Sequence, residues 1–145
     1  MIRKLEPTKD MDRIADIWLG EVIRVYKFSP DPERYWRNRL DEMKNVTLSA
    51  EAYVYEENGL IKAIITLKDS YIWDLIVDSQ YQKNGIGTAL LDFVKQSKPS
   101  LALGIFEENQ AGIDFFEKRG FVKTGAYESQ EGHKKFDMIW KKEDE

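Results

Sequence analysis

Gln82-Lys83-Asn84-Gly85-Ile86-Gly87-Thr88 stands between an apolar run, Tyr71-Ile72-Trp73-Asp74-Leu75-Ile76-Val77, and a segment in which Ile86, Ala89, Leu90, Phe93 and Val94 recur at i, i+3, i+4, i+7 and i+8. The first flank predicts a strand and the second a helix buried along one side, so the two glycines occupy a strand-to-helix turn. A helix start leaves four N–H groups unpaired and carries about half a positive charge, which favours a bound anion. Glycine at 85 and 87 removes side chains that would hold a pyrophosphate away from those groups, and Lys83 adds a countercharge at the loop mouth. A bare G-x-G serves equally well as a plain turn. The segment lacks G-x-x-x-x-G-K-[ST], and Leu90 stands where G-x-G-x-x-G needs its third glycine. The loop also follows the fourth strand of the chain rather than the first, which argues against a dinucleotide fold.

Upstream of this turn, Met1 to Glu6 alternates as a short first strand, and Pro7-Thr8 breaks it with Thr8 as a helix cap. From Lys9 to Tyr26, Met11, Ala15, Trp18, Val22 and Val25 join Ile14 and Ile17 in one amphipathic stripe. Ser29-Pro30-Asp31-Pro32 stops that helix and starts a second one, capped by Asp31 and expected to run to about Lys44. Strands at Ala52 to Glu57 and Leu60 to Lys68 flank Asn58-Gly59, a two-residue hairpin turn that needs positive φ at both positions. Downstream, Pro99 ends the buried helix and Leu101 to Phe106 forms an interior strand. Asn109 to Arg119 is helical in pattern with Gly120 as its C′ residue, and Phe121 to Tyr127 and Phe136 to Trp140 close the chain. The expected order is β-α-α-β-β-β-α-β-α-β-β, a mixed α/β fold of three layers in a single domain over residues 1–145.

Composition narrows the function classes. The 145 residues carry 42% apolar and 33% charged side chains, as a soluble globular chain does. The absence of cysteine excludes disulfides, thiolate metal sites and a cysteine nucleophile, and no metal is expected. A net charge of −4 disfavours nucleic acid as a partner. Neither a signal peptide nor a long apolar run is visible, so no membrane association and a cytoplasmic location are the expectation.

Two segments together carry a resemblance. Gln82-x-x-Gly85-x-Gly87 has the Gln/Arg-x-x-Gly-x-Gly/Ala form of the GNAT superfamily of N-acetyltransferases. Asn109-x-x-Gly112-x-x-Phe115-Phe116-Glu117-Lys118-x-Gly120-Phe121 resembles that family's N-x-x-A-x-x-F-Y-E-K-x-G-F segment. The likeness spans essentially the whole chain and implies the GNAT fold, acetyl-CoA as cosubstrate and a primary amine as acceptor, on a small molecule or a protein. The resemblance leaves both a monomer and a homodimer open.

Carried over residue by residue, the resemblance implies that the fourth strand bulges and splays from the fifth. Backbone groups of Leu75, Ile76 and Val77 would then hold the pantetheine arm, with the Val77 N–H as oxyanion donor. One such donor is worth roughly 2.7–4 kcal/mol. The amides of Lys83, Asn84, Gly85, Ile86, Gly87 and Thr88, opened by Gln82, would take the pyrophosphate. Asn109 would touch the cofactor arm, and it is equally placed to cap the next helix. Phe115 and Phe116 would border the cofactor, with helix core as the alternative for Phe115 and Phe116 nearer the thioester.

Two positions depart from the family. Phe116 replaces the tyrosine that protonates the leaving thiolate, and Gly104 stands where some members carry a glutamate base. A thiol of pKa near 8.5 leaves tolerably as the anion, and a general acid contributes about 10²–10⁴-fold, so Phe116 slows the reaction without abolishing it. The base is the harder requirement, because an alkylamine of pKa near 10.4 must give up a proton at neutral pH, a demand of about 4.6 kcal/mol. Tyr71, at the strand-four position of the glutamate in histone-type relatives, is one candidate, with a half-buried strand aromatic as the alternative. Glu21, Tyr26 and Asp74 are others without a motif behind them. His133 reads as an ordinary surface residue.

Direct attack in a ternary complex is expected, since no cysteine is present to carry the acetyl group. The acceptor pocket should form from the first two helices, the strand-four end and the last hairpin. Trp18, Tyr26, Phe28, Tyr35 and Trp36 make that region aromatic, which suits a flat or cationic acceptor. The competing reading is a CoA-binding sensor or adaptor with weak or no catalysis.

Overall fold

The apolar stripes of the predicted helices bury against opposite faces of one sheet. The computed structural model describes residues 1–143. In chain order it contains β1 (Ile2–Lys4), α1 (Pro7–Val25), α2 (Pro32–Arg37), α3 (Leu40–Ser49), β2 (Glu51–Glu57), β3 (Leu60–Lys68) and β4 (Tyr71–Val77). These are followed by α4 (Ile86–Lys95), β5 (Ser100–Phe106), α5 (Gln110–Glu117), β6 (Val122–Glu128) and β7 (Lys134–Lys141). The strands form one seven-stranded sheet in the order β1-β2-β3-β4-β5-β7-β6. Only the central β4–β5 pair is parallel, and α4 crosses over between its members.

One face carries α1, α2 and α3. Ile14, Ile17, Trp18 and Val22 pack there with Trp36 and Met43 on Val54, Ile61, Ile64 and Ile76. The other face carries α4 and α5, whose Leu90, Leu91, Val94, Ile113 and Phe116 cover Ala63, Ile65, Leu67, Leu101 and Leu103. Adjacent Ile64 and Ile65 thus serve opposite layers, as the pleat requires. The mixed three-layer α/β expectation is met.

Three local expectations are corrected. The single helix predicted from Pro32 to about Lys44 is two helices, α2 and α3. Arg39 N–H bonds the Trp36 carbonyl three residues back at 3.0 Å, and the buried Trp36 ring fixes α2 by donating to the Tyr26 carbonyl at 2.8 Å. No glycine or proline marks that break, so the periodicity could not show it. Thr8 lies inside α1; Glu6 caps the helix with Pro7 as its first residue, and Asp10 accepts from the Glu6 N–H at 2.8 Å. The first strand is shorter than expected, at Ile2–Lys4. The Asn58-Gly59 turn is as predicted, with φ of 54° and 78°. The α5 end is a Schellman motif, with Phe121 N–H on the Phe116 carbonyl, Gly120 N–H on that of Glu117, and Gly120 at φ +92°.

Strand β4 positions the site. Ile72 belongs to the α4 layer and Ile76 to the α1 layer, although an even spacing should put both on one face. The register explains this, stepping from Leu67↔Ile72 to Thr66↔Asp74 and leaving Trp73 as the extra residue of a bulge. Trp73 is 49% exposed as a result. Past the bulge β4 leaves β5, which it pairs only at Tyr71↔Ala102 and Ile72↔Leu103.

Candidate active site

The parting of β4 from β5 opens a cleft of ≈ 840 Å³. Its walls come from α1, β4 from Ile72 to Val77, the loop into α4, Leu103 to Ile105 of β5, and α5. Which backbone groups face it follows from the ladder. Opposed antiparallel residues alternately exchange hydrogen bonds and turn their groups outward. Asp78 N–H bonds the Lys62 carbonyl at 2.8 Å, so Ile76 and Asp74 also face β3, while Leu75 and Val77 turn theirs into the gap. The Val77 carbonyl is taken by Gln82 Nε2 at 3.0 Å, and its N–H points toward the opening. Ile76 lines the cleft, but its N–H and C=O belong to the sheet. The β4 backbone groups turned away from β3 are therefore those of Leu75 and Val77.

At the inner end of the gap the loop delivers its amides. Lys83 and Gly85 take the left-handed conformation, with φ of 67° and 80°. Gly85 caps α4 with no side-chain bond, so the first N–H groups of α4 are left for an anion. Gln82, Lys83, Gly85, Ile86, Gly87 and Thr88 line the cleft, whereas Asn84 is exposed and stands outside it. Gln82 acts through its side chain, donating also to Glu21 Oε2 at 3.1 Å and so tying α1 to the loop. Arg24 forms an ion pair with the same Glu21.

Arg119, which the sequence reading passed over, is the main addition. Its guanidinium donates to Thr88 Oγ1 at 3.0 and 2.6 Å and to the Phe115 carbonyl at 2.7 Å, and it lies 3.7 Å above the Phe115 ring. A cation is thereby fixed beside the first turn of α4. The signal available was its spacing, four residues after Phe115 on one helix face. Phe115, expected as a cofactor contact or as helix core, is half-buried and lines the cleft. A Cβ added at Gly87 would lie 3.3 Å from its ring, so the ring forms the wall opposite the loop. Phe116 is the core residue, 8% exposed and edge-on to Phe121, with one side on the cleft.

Asn109 does two things. Its Oδ1 accepts from the Gly112 N–H at 2.9 Å, capping α5, and its Nδ2 donates to the Tyr26 hydroxyl at 3.0 Å. Burial pushes the Tyr26 phenol up to about 12, so it is neutral in the physiological range.

The acceptor side departs most from expectation. Tyr71 does not line the cleft. A Cβ at Gly104 would stand 2.9 Å from the Tyr127 hydroxyl, 3.0 Å from that of Tyr71 and 3.4 Å from Lys135 Cε. Two phenols thus fill the place of a β5 side chain, which accounts physically for glycine at 104. Burial, then the neighbouring Tyr127 and Asp137, raises the Tyr71 phenol, which suits a donor rather than a base. Asp74, in contrast, is on the cleft wall. His133 is not a simple surface residue, since its ring stacks 3.9 Å from Phe28 and its Nδ1 lies 2.7 Å from Glu108 Oε2. Trp18, Tyr26, Phe28 and Trp36 pack mostly on one another, and the Tyr35 ring is covered by Arg39, so the aromatic region is chiefly a seal. Among the described residues no group of three His, Cys, Asp or Glu could hold a metal, and no helix is long and apolar enough to cross a membrane.

A sheet splayed at its one parallel pair, with a helix start of uncapped amides at the split, defines the class of the acetyltransferase fold. The chain belongs to the acetyltransferase (GNAT) domain family, whose family model matches residues 26–142. It is 27% identical over 123 residues to the peptidyl-lysine N-acetyltransferase YiaC of Escherichia coli (strain K12), covering 83% of this chain and 82% of that protein. It is 31% identical over 109 residues to the S-(2-succino)cysteine N-acetyltransferase of Bacillus subtilis (strain 168), covering 63% and 66%. In fold it is similar to apo-form YjaB from Escherichia coli, with a TM-score of 0.82 at 19% identity over 97% and 96% of the two chains.

Proposed function

We propose that this protein is a single-domain, cytoplasmic N-acetyltransferase that moves the acetyl group of acetyl-CoA to a primary amine by direct attack in a ternary complex. The observation that carries the reading is the gap between β4 and β5, where the outward N–H groups of Leu75 and Val77 continue into the free amides of α4. The α4 amides and the Arg119 charge hold the diphosphate. Leu75 lines up the pantetheine amides, and the Val77 N–H receives the thioester oxygen as it gains charge. The two curated relatives are named for acetylation of a peptidyl lysine and of a modified cysteine, both amines.

The test is calorimetric titration with coenzyme A, followed by thiol release from acetyl-CoA over a lysine peptide, S-carboxymethylcysteine and spermidine. Uptake of coenzyme A with amine-dependent thiol release supports the reading. Uptake without release on any amine favours the sensor, and parallel-line kinetics overturn direct attack. Phe116→Tyr restores a phenol at the family's acid position and is expected to raise kcat tenfold or more, within the range a general acid supplies. Its new hydroxyl enters a ring cluster with Phe115 and Phe121, so its melting temperature should fall slightly.

A further inference from the structure

We infer that Asp74 is the general base of this enzyme and that Thr66 is the residue that positions its carboxylate. The inference rests on the acetyltransferase reading above and assigns the base that reading lacks. Thr66 and Asp74 are direct cross-strand partners on the α1 face, one register step past the bulge at Trp73. Thr66 is 1% exposed, and its hydroxyl has no hydrogen-bond partner among the described residues. An orphaned buried hydroxyl is costly unless something nearby uses it. Its partner across the ladder is Asp74, which lines the cleft and whose carboxylate is neither hydrogen-bonded nor ion-paired among the described residues.

Position and chemistry agree. Asp74 stands three residues before Val77, so the carboxylate and the proposed oxyanion donor share the stretch of β4 that has left β5. Without the bulge, Asp74 would turn its side chain to the α4 layer. The other groups around it are ill suited to the role. Tyr26 just after α1 stays protonated, Glu21 is tied to Gln82 and Arg24, Glu108 lies against His133, and Lys135 on β7 is a cation. Burial holds the Asp74 carboxyl up at about 7, against the pull of Lys135, so it can take a proton and still be ionised near neutrality.

In the step, the bound ammonium gives one proton to the Asp74 carboxylate and its lone pair forms the N–C bond to the thioester carbon. The C–S bond then breaks, and the thiolate takes the nitrogen's second proton. Asp74 releases its proton to solvent, leaving amide, thiol and one proton overall.

Two measurements on the full chain test this. With the fastest amine of the panel, log kcat of the wild type should rise through an acid limb near pH 7. Asp74→Asn should lose that limb and drop kcat about 10²–10⁴-fold with coenzyme A affinity unchanged. Thr66→Val, which removes the buried hydroxyl that stands across the ladder from the carboxylate, should move the limb up by about half a unit. An Asp74→Asn enzyme within threefold of wild-type kcat and with the same pH profile overturns the base, and an unmoved limb in Thr66→Val overturns the positioning role. Carbon-13 NMR titration of the Asp74 carboxyl reads the same claim without an acceptor: a midpoint near 7 supports it and one near 4 overturns it. Failure to take up coenzyme A would instead defeat the transferase reading, leaving the carboxyl titration as a separate result.

Discussion

Gly87→Asp is expected to lower coenzyme A affinity at least 100-fold while leaving the protein folded. Position 87 is in the first turn of α4, where an acidic side chain favours the helix by about 0.3–1 kcal/mol. The added Cβ meets the Phe115 ring at 3.3 Å, and that ring is a half-exposed wall that can yield by a few tenths of an ångström. Stability should therefore change little. Binding should suffer twice, because the carboxylate takes the α4 amides for itself and repels the diphosphate they would hold. A 100-fold loss corresponds to about 2.7 kcal/mol, less than the sum of those two effects as charge-assisted bonds. Titration calorimetry measures the affinity and a thermal melt checks the fold. Near wild-type affinity in a folded variant would place the diphosphate elsewhere and remove the main support for the proposed function.

Arg3→Met is expected to have the largest effect on stability, about 3–5 kcal/mol, seen as a fall in melting temperature on the order of 10 °C. Arg3 on β1 holds Asp10 at 2.7 Å and Glu56 at 2.6 Å, which joins α1 to the β1–β2 pair. Asp10 is 1% exposed, so deleting the guanidinium strands a buried carboxylate. The pH dependence gives a signature. In the wild type the Arg3 bond holds Asp10 below the usual carboxylate range, so its stabilisation is present above the unfolded value and is lost as pH falls through the lower folded one. In the variant, burial raises Asp10 against only the Glu6 N–H and the charge of Lys9, so the carboxyl accepts a proton more readily as pH falls and the deficit shrinks. Denaturant unfolding at pH 7 and pH 4 checks this, and a deficit that grows on acidification contradicts it. Adding Asp10→Asn to Arg3→Met should recover most of the loss at pH 7.

The candidate site was legible wherever its geometry rests on backbone. Gly85, Gly87 and the Asn58-Gly59 turn are forced by φ or by close approach, and such demands appear as residue types in fixed places. Asn109 was legible as a cap for the same reason, whereas its second bond, to Tyr26, joins residues 83 apart and has no local signature. Gln82 illustrates a partial success: it stands at the family position, but its amide braces Val77 and Glu21. Of the two readings open for Tyr71, the half-buried strand aromatic fits its place outside the cleft, because position along a strand does not say what a bulge two residues later will do to its neighbours. Once Trp73 is looped out, Asp74 turns to the cleft wall. Gly104 looked like a missing base, and the structure shows two tyrosine hydroxyls occupying its volume.

By itself the sequence determined the element order, the two apolar layers, the hairpin and the amide-bearing loop. Each follows from periodicity or backbone sterics within a few residues, which is information a linear string contains. Only the tertiary structure decided the break between α2 and α3, the Arg119 clamp on Thr88, the buried Arg3–Asp10 pair and the pairing of Thr66 with Asp74. Those depend on register across strands and on packing between distant segments. The energy that selects them comes from burial and charge compensation that exist only once the layers have closed.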